Sequence, residues 1–216
     1  SQMFNAIDSV PLTAIAFFML TGELMTSATI TDRLVALSRA LIGRIRGGLA
    51  QVNVLVSMFF AGMNGSVVAD TATVGALVLP AMKKAGYPAA FSAAVTGVSS
   101  TIGGIIPPSI MMIVLANSTE ISIAALFAAG IIPGVLIGVV IMIINHYFAI
   151  KYNFERSDEP FSIRRAGREL YRSSFALLIP LVLVGSVMGG VASVVEAGAI
   201  TAMVALLTGV FVYRTI

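Results

Sequence analysis

The chain is made of long apolar runs separated by short polar or basic segments. A run of about 20 apolar residues can cross a bilayer as one helix. The run from about Pro11 to Thr29 predicts one such helix. The runs from Lys84 to Lys151 and from Arg172 to Arg214 are each long enough for two, with turns near 117–120 and at 189–190. The pattern predicts an all-α protein.

One segment is amphipathic rather than apolar throughout. In residues 30–46, arginines alternate with apolar positions spaced for one face of a helix, which are Leu34, Leu37, Leu41 and Ile45. This segment is too charged to cross a bilayer. The spacing therefore predicts a helix that lies along the membrane interface.

Composition supports a membrane location and narrows the chemistry. Hydrophobic residues make up 58% of the chain and charged residues 11%, and the mean hydropathy is +1.00, whereas soluble domains are about 45–50% apolar. The chain has no cysteine and a single histidine, His146. Disulfides and thiolate sites are excluded, and one imidazole cannot form a histidine cluster, so we expect no transition-metal site.

The positions of Lys and Arg predict a re-entrant hairpin over residues 49–82. Only 36 residues separate Arg46 from Lys83, which is too few for two full spans of about 20 residues and a turn. One full span would leave Lys83 and Lys84 on the non-cytoplasmic side, against the positive-inside rule. Two short helices that enter and leave on the same side avoid both conflicts. The alternative is one long tilted helix.

The remaining basic residues agree with this topology. Residues 151–172 carry six of the thirteen Lys and Arg residues, which predicts a cytoplasmic, amphipathic arm. The join at 117–120 carries only a negative charge and is expected outside. With these assignments every basic residue lies on one side of the membrane.

The predicted tip of the hairpin is polar, with the sequence AGMNGSVVAD over residues 61–70. Irregular backbone at membrane depth is tolerated only where it is buried in protein or lines a cavity. Gly65 gives the backbone freedom to turn, and Asn64 and Ser66 carry oxygens that could cap the returning helix. The N-terminus of that helix favours an anion. Asp70 shares a face with Ser66 and either has a functional role or only stabilises the helix start.

A second irregular segment interrupts the apolar run 87–116. Pro107 and Pro108 cannot continue a helix, so carbonyl groups near 103–106 lose their helical partners. Such carbonyls, together with Ser and Thr hydroxyls, suit an alkali cation, and broken helices form the sites of many secondary transporters. A plain proline kink is the alternative.

Three glycines at intervals of four, Gly130, Gly134 and Gly138, follow in the next apolar run. This spacing predicts a stripe that lets another helix approach closely.

Motifs along nearly the whole chain resemble those of the large membrane subunit of tripartite ATP-independent periplasmic (TRAP) transporters. They are GELM at 22–25, RGGLAQVN at 46–53, GS at 65–66, AD at 69–70, LPAMKK at 79–84, GY at 86–87, SSTIG at 99–103, IIPPSI at 105–110 and EA at 196–197. The resemblance implies an elevator-type ion transporter fold with a re-entrant helical hairpin and a discontinuous transmembrane helix.

The resemblance also implies a function. It implies sodium-coupled secondary transport of small organic acid anions, such as a dicarboxylate or a sialic-acid-like acid, by a multi-pass protein of the bacterial inner membrane. A periplasmic binding protein would deliver the anion, and a small membrane subunit, separate or fused, would complete the complex. Besides the lipid bilayer no other partner is implied; we expect no nucleic acid, no organic cofactor and no enzymatic activity.

Site residues follow from the same resemblance. The sodium site is assigned to Asn64, Gly103, Ile106 and Pro108. Residues that contact the substrate or brace the tip are assigned as Gly65, Ser66, Asp70, Ser99, Ser100, Thr101 and Ser109. The chain departs from the family pattern at Asn64, where Ser is usual, and at Gly104, where Pro is common.

Family members are about twice as long as this chain and contain two inverted repeats. The chain resembles the first repeat and the start of the second, and by itself it is not expected to transport. The predicted segments are 1–48 (scaffold helix and interfacial arm helix), 49–118 (part of the transport domain, with the hairpin 49–82 and the broken helix 88–116), 119–150 (transmembrane helix), 151–173 (cytoplasmic arm) and 174–216 (two scaffold helices).

Two other classes of function are alternatives for this sequence. A non-catalytic scaffold subunit would account for the many small residues but leaves Asp70 and the two prolines unexplained. An intramembrane enzyme could also place Ser and Asp at a re-entrant tip, but it needs a base or a metal. With one histidine near the end of a span and no cysteine, no Ser-His pair is evident.

Overall fold

The computed structural model describes residues 10–42, 45–154 and 162–213, and within these ranges all regular structure is helical. The ten α-helices are α1 Val10–Ser27, α2 Ile30–Ile42, α3 Gly48–Asn64, α4 Val67–Lys84, α5 Ala89–Ser100, α6 Ile110–Thr119, α7 Ile123–Lys151, α8 Ile163–Arg172, α9 Ser174–Met188 and α10 Val194–Leu207. A 3-10 turn, Thr101–Gly104, follows α5, and a π-helical segment, Thr208–Tyr213, continues α10. The predicted all-α class is confirmed.

Two helices of the described chain are long and apolar enough to cross a membrane unaided. They are α7 and the segment Val194–Tyr213, which combines α10 with its π-helical extension. Two further spans arise if each sharply bent pair is counted as one: α1 and α2 meet at 70°, and α8 and α9 meet at 57°. Part of each predicted arm (43–44 and 155–161) lies outside the described residues, as do 1–9 and 214–216.

The bend before α2 occurs at Thr29, whose φ of 53° interrupts the helix. The apolar stripe predicted for a single interfacial face is divided between two environments. Leu34 and Leu37 are fully buried, whereas Leu41 is 41% exposed. The reason is that α2 packs against α3 and α8, so only the end of the stripe is left uncovered. Ile45 lies beyond the end of α2.

Helix α3 lies at the centre of the fold. Thirteen of its seventeen residues are buried, and it packs against α2, α4, α5 and α7. A helix that is covered all round must bury whatever polar residues its sequence contains. On α3 these include Asn53, Ser57 and Asn64, each at most 3% exposed, and the candidate site forms around them.

The three glycines of α7 permit close packing, as predicted, but mostly against a different partner. A Cβ atom at Gly130 would collide with the carbonyl oxygen of Ile105, and one at Gly134 would collide with the side chain of Ile106. Gly130 also lies against Met112 of α6, and a Cβ at Gly138 would collide with Met58 of α3. The stripe therefore mainly holds the broken segment between α5 and α6.

The predicted turn at Gly189 and Gly190 lies between α9 and α10. Gly190 adopts a φ of 66°, which favours glycine. Ser193 and Glu196 then form a capping box: Ser193 Oγ accepts from the Glu196 N–H at 3.3 Å, and the Ser193 N–H donates to Glu196 Oε2 at 2.8 Å.

Candidate functional site

The tip between α3 and α4 is a two-residue reversal of the chain. Gly65 has φ 60° and ψ 16°, a left-handed conformation suited to glycine, and its N–H donates to the Ala61 carbonyl at 3.3 Å. Ser66 caps α4, because its Oγ accepts from the Ala69 N–H at 3.3 Å. The capping role that the sequence suggested for Ser66 is therefore observed.

Asn64 ends α3 and is 3% exposed. Its Oδ1 accepts from the Ser66 N–H at 3.0 Å, and since an amide oxygen has two lone pairs, one acceptor position remains. Within the described chain its Nδ2 has no hydrogen-bond partner. Gly22 of α1 lies directly against this side chain, where a Cβ would be only 2.7 Å from Asn64 Cβ.

The segment between α5 and α6 has irregular backbone after the 3-10 turn, and hydrogen bonds fix it at both ends. The Ile102 carbonyl accepts from the N–H groups of Ile105 and Ile106, each at 2.9 Å. Ser109 caps α6 by accepting from the Met112 N–H at 3.4 Å, and its hydroxyl donates to the Gly104 carbonyl at 2.8 Å. Between these anchors, the carbonyl oxygens of residues 105–108 accept no hydrogen bond from any described residue.

The tip and this broken segment are in direct contact. The Gly65 carbonyl accepts from the Ile110 N–H at 3.2 Å, 45 positions along the chain. A Cβ at Gly65 would collide with the Pro108 carbonyl oxygen, and one at Gly103 would lie 3.7 Å from the backbone of Ser66. The two irregular segments, inferred separately from the sequence, thus form one surface lined by backbone oxygens.

Asp70 lies one turn into α4 and is fully buried. Its carboxyl group faces the hydroxyls of Ser57 and Ser100, yet neither of its oxygens receives a well-formed hydrogen bond within the described chain. Burial of an unpaired charge is costly, so such a group normally has a partner or a function.

A buried polar network lies beside Asp70 and joins α3 to α5. Asn53 Nδ2 donates to Thr96 Oγ1 at 2.7 Å, and Asn53 Oδ1 accepts from Ser99 Oγ at 3.1 Å. Ser57 Oγ is 3.3 Å from Ser99 Oγ. Asn53, Ser57 and Thr96 were not among the predicted site residues, although their positions carried a signal: polar residues recur at helical intervals on α3 (53, 57, 64) and α5 (92, 96, 99, 100).

The predicted site residues therefore separate into groups. Asn64, Gly65, Ser66, Gly103, Pro108 and Ser109 lie at the contact between the tip and the broken segment. Asp70, Ser99 and Ser100 lie at the polar network. The Ile106 side chain packs under α7. Thr101 is exposed, and its hydroxyl donates back to the Val98 carbonyl at 2.7 Å, so it joins neither group.

The ligands that this region offers are hard oxygen atoms: carbonyls, hydroxyls, an amide and one carboxylate. The described residues contain no cluster of three His, Cys, Asp or Glu side chains that could hold a transition metal. Oxygen atoms of this kind are suited to alkali cations.

Comparison with known proteins identifies the family of the chain. The family model "Tripartite ATP-independent periplasmic transporter, DctM component" matches residues 1–216. The chain is 35% identical to the sialic acid TRAP transporter large permease protein SiaM of Vibrio cholerae (100% of this chain, 50% of that protein). It is 35% identical to the C4-dicarboxylate TRAP transporter large permease protein DctM of Pseudomonas aeruginosa (99% and 50%). It is 37% identical to the 2,3-diketo-L-gulonate TRAP transporter large permease protein YiaN of Escherichia coli (98% and 50%).

The chain thus spans about half the length of these curated relatives. The match nevertheless covers every residue of the chain, and it agrees with the apolar helices and the broken segment described above. The chain belongs to the DctM component family of tripartite ATP-independent periplasmic transporters, which are multi-pass proteins of the bacterial inner membrane.

Proposed function

We propose that this chain is the N-terminal half of a TRAP large permease that couples sodium entry to the uptake of a small organic acid anion. The observation that carries the proposal is the contact between the tip and the broken segment. There the Gly65 carbonyl accepts from the Ile110 N–H, beside the carbonyls of residues 105–108, which accept no hydrogen bond from the residues that the structure describes. Relatives named for the transport of sialic acid, C4-dicarboxylates and 2,3-diketo-L-gulonate support the substrate class.

The sodium ion would bind at this contact. Asn64 Oδ1 and backbone oxygens near Gly103, Ile106 and Pro108 would be its ligands. All are neutral hard oxygens, and apart from Asn64 Oδ1 they are carbonyl oxygens of unwound backbone, which hold sodium in other transporters. Asp70, one turn further along α4, would supply the negative charge that favours a cation nearby.

The organic anion would bind near the start of α4. The N-terminus of a helix attracts negative charge, and Ser66 and Gly65 present polar groups there. Movement of this region past the scaffold helices, as in an elevator mechanism, would expose it to each side of the membrane in turn. The second half of the permease would complete the pocket.

The transporter would work with a small membrane subunit, separate or fused, and with a periplasmic binding protein that delivers the anion. Relatives are named as permeases rather than as enzymes, which supports a transport role over the intramembrane-enzyme alternative. A purely structural scaffold would not explain why Asp70 is buried with no hydrogen bond to its carboxyl oxygens from the described residues.

Uptake into proteoliposomes tests the proposal. The complete permease, its small subunit and its binding protein are reconstituted with an inward sodium gradient and supplied in turn with sialic acid, a C4-dicarboxylate and 2,3-diketo-L-gulonate. We expect accumulation of at least one acid that stops when sodium is replaced by potassium. Equal uptake in both salts would contradict sodium coupling, and no uptake of any organic acid would contradict the substrate class.

Asn64→Ala is expected to weaken sodium activation of that uptake. Loss of one oxygen ligand should raise the sodium concentration for half-maximal uptake by about tenfold, which corresponds to a loss of about 1.4 kcal/mol. Asn64→Ser is the matched control, because it keeps a side-chain oxygen at a position where the family usually has serine. Similar sodium activation in the alanine and serine variants would show that the Asn64 oxygen is not a ligand.

Cysteine labelling tests the hairpin. The chain has no cysteine, so single cysteines at Arg46 and Lys83 can be introduced into a complete permease whose other cysteines have been removed. We expect a membrane-impermeant maleimide to label both positions only from the cytoplasmic side. Labelling from opposite sides would mean that residues 49–82 cross the membrane, as in the tilted-helix alternative.

A further inference from the structure

Gly22 is a buried glycine within α1, and the backbone of the helix does not require it. Its φ is not left-handed, and glycine is less favourable than alanine inside a helix. The reason for a glycine here lies on another helix. A Cβ added at Gly22 would be 2.7 Å from the Cβ of Asn64 and 3.5 Å from its Cα, so α1 and the end of α3 lie too close together for any side chain at this position.

The contact involves the part of Asn64 that cannot turn away. The position of a Cβ atom is fixed by the backbone, so no change of rotamer at Asn64 would relieve a collision there. Every residue except glycine carries this atom at position 64. A side chain at position 22 would therefore have to displace the end of α3 or α1 itself.

The end of α3 is joined directly to the candidate site. Asn64 Oδ1 accepts from the Ser66 N–H at 3.0 Å, and the carbonyl of the intervening Gly65 accepts from the Ile110 N–H at 3.2 Å. Helix α1 also packs against α6, which begins at Ile110. One helix thus supports both the tip and the broken segment, and a shift of Asn64 against α1 changes where its oxygen lies relative to the carbonyls of that segment.

We propose that Gly22 is a positioning residue of the candidate cation site. It does not contact the cation. Its lack of a side chain lets α1 lie against the end of α3, and this close contact fixes the Asn64 oxygen in place relative to the backbone carbonyls of the broken segment. The inference rests on the proposed sodium-coupled function.

Gly22→Ala tests the inference in the complete, reconstituted transporter. The added methyl group should displace Asn64 and weaken the binding of sodium. We expect the apparent Kd for sodium, measured from the sodium-dependent shift in Tm, to rise by up to about tenfold, which is the rise expected for complete loss of one oxygen ligand. A lower Tm without sodium and an unchanged Kd would mean that Gly22 serves only packing, and that outcome would overturn the inference.

Gly185→Ala is the matched control. Gly185 also lies within a helix, α9, but nothing lies within 4 Å of a Cβ added there. This variant should keep the wild-type Kd for sodium. An equal rise in Kd in Gly185→Ala and Gly22→Ala would show that the effect does not come from the contact with Asn64, and it would also overturn the inference.

A double variant shows whether Gly22 acts through Asn64. Asn64→Gly removes the Cβ with which the new methyl group would collide, so adding Gly22→Ala to Asn64→Gly should change neither the Tm nor the Kd any further. A further rise in Kd would overturn the inference. The same pair covers the case in which Gly22→Ala alone does not fold: recovery of folding in the double variant supports the contact, and failure to recover contradicts it.

Failure of the inference can be told apart from failure of the proposed function. A wild-type transporter whose Tm does not respond to sodium would contradict the proposed function itself. If Asn64→Ala weakens the binding of sodium and Gly22→Ala does not, the proposed function stands and only the role of Gly22 is lost.

Discussion

Asp70→Asn is expected to abolish sodium-driven uptake of the organic acid while the permease still folds and assembles. The variant replaces a buried carboxylate by an amide of the same shape, so packing around the fully buried side chain is preserved. It removes the negative charge that would balance a bound cation. We expect the apparent sodium affinity to fall on the order of 100-fold, as for the loss of a charge-assisted interaction in a buried site.

The same variant should change stability in the opposite direction. In the structure neither oxygen of Asp70 receives a hydrogen bond within the described chain, and burying an unpaired charge costs free energy. We therefore expect Asp70→Asn to have a higher Tm than the wild type in sodium-free buffer and a smaller rise in Tm when sodium is added. Thermal unfolding with and without sodium, beside an uptake assay, measures both effects.

Asp32→Asn provides a control for loss of a carboxylate as such. Asp32 lies in the first turn of α2 and is exposed, so its loss should leave uptake and sodium affinity unchanged. Normal sodium-driven uptake in Asp70→Asn would remove Asp70 from the site. A lower Tm without sodium would instead mean that the carboxylate serves to hold the fold together.

Gly65→Ala is expected to have the second largest effect on uptake, because it disrupts the contact between the tip and the broken segment. The added Cβ is unfavourable for two reasons. The φ of 60° is a left-handed conformation that costs a non-glycine residue about 1–2 kcal/mol, and the methyl group would also collide with the Pro108 carbonyl. The tip must then move away from the broken segment, and uptake should be lost.

Gly86→Ala separates these two causes. Gly86 has a similar φ of 78°, but nothing lies within 4 Å of a Cβ added there. It should therefore show only the conformational cost and retain sodium-driven uptake. The difference in Tm and in uptake between the two variants measures what the collision with Pro108 adds. Equal behaviour of the two would show that the contact at Gly65 has no part in transport.

Residues with unusual backbone requirements made the two irregular segments predictable from the sequence. Glycine at 65 marks the position where α3 must turn, and the two prolines at 107–108 cannot be accommodated within a helix. These are local steric properties, so they hold whatever the rest of the chain does. The same applies to the ends of the helices, where Ser66 and Ser109 form caps through bonds to residues three positions further along.

The polar network beside Asp70 was not predicted, and the reason is that its bonds are not local. Asn53 lies 43 residues before Thr96 and 46 before Ser99. Periodicity places each residue on a face of its own helix, but it does not say which faces meet. The same reason applies to burial, which depends on the neighbours that cover each face of a helix. The sequence therefore did not predict that Thr101 is exposed, or that Leu34 is buried while Leu41 is exposed.

By itself the sequence determined that the chain is helical and embedded in a membrane, where it is interrupted, and to which family it belongs. Those properties follow from the lengths of apolar runs, from glycine and proline sterics and from matched motifs, all of which can be read along the chain. Only the tertiary structure decided that the tip bonds to the broken segment, that the glycines of α7 support that segment, and that the buried oxygens of Asp70 receive no hydrogen bond from the described part of the chain. These depend on how helices distant in sequence pack together, because a contact or an unpaired charge exists only once the neighbours on every side are in place.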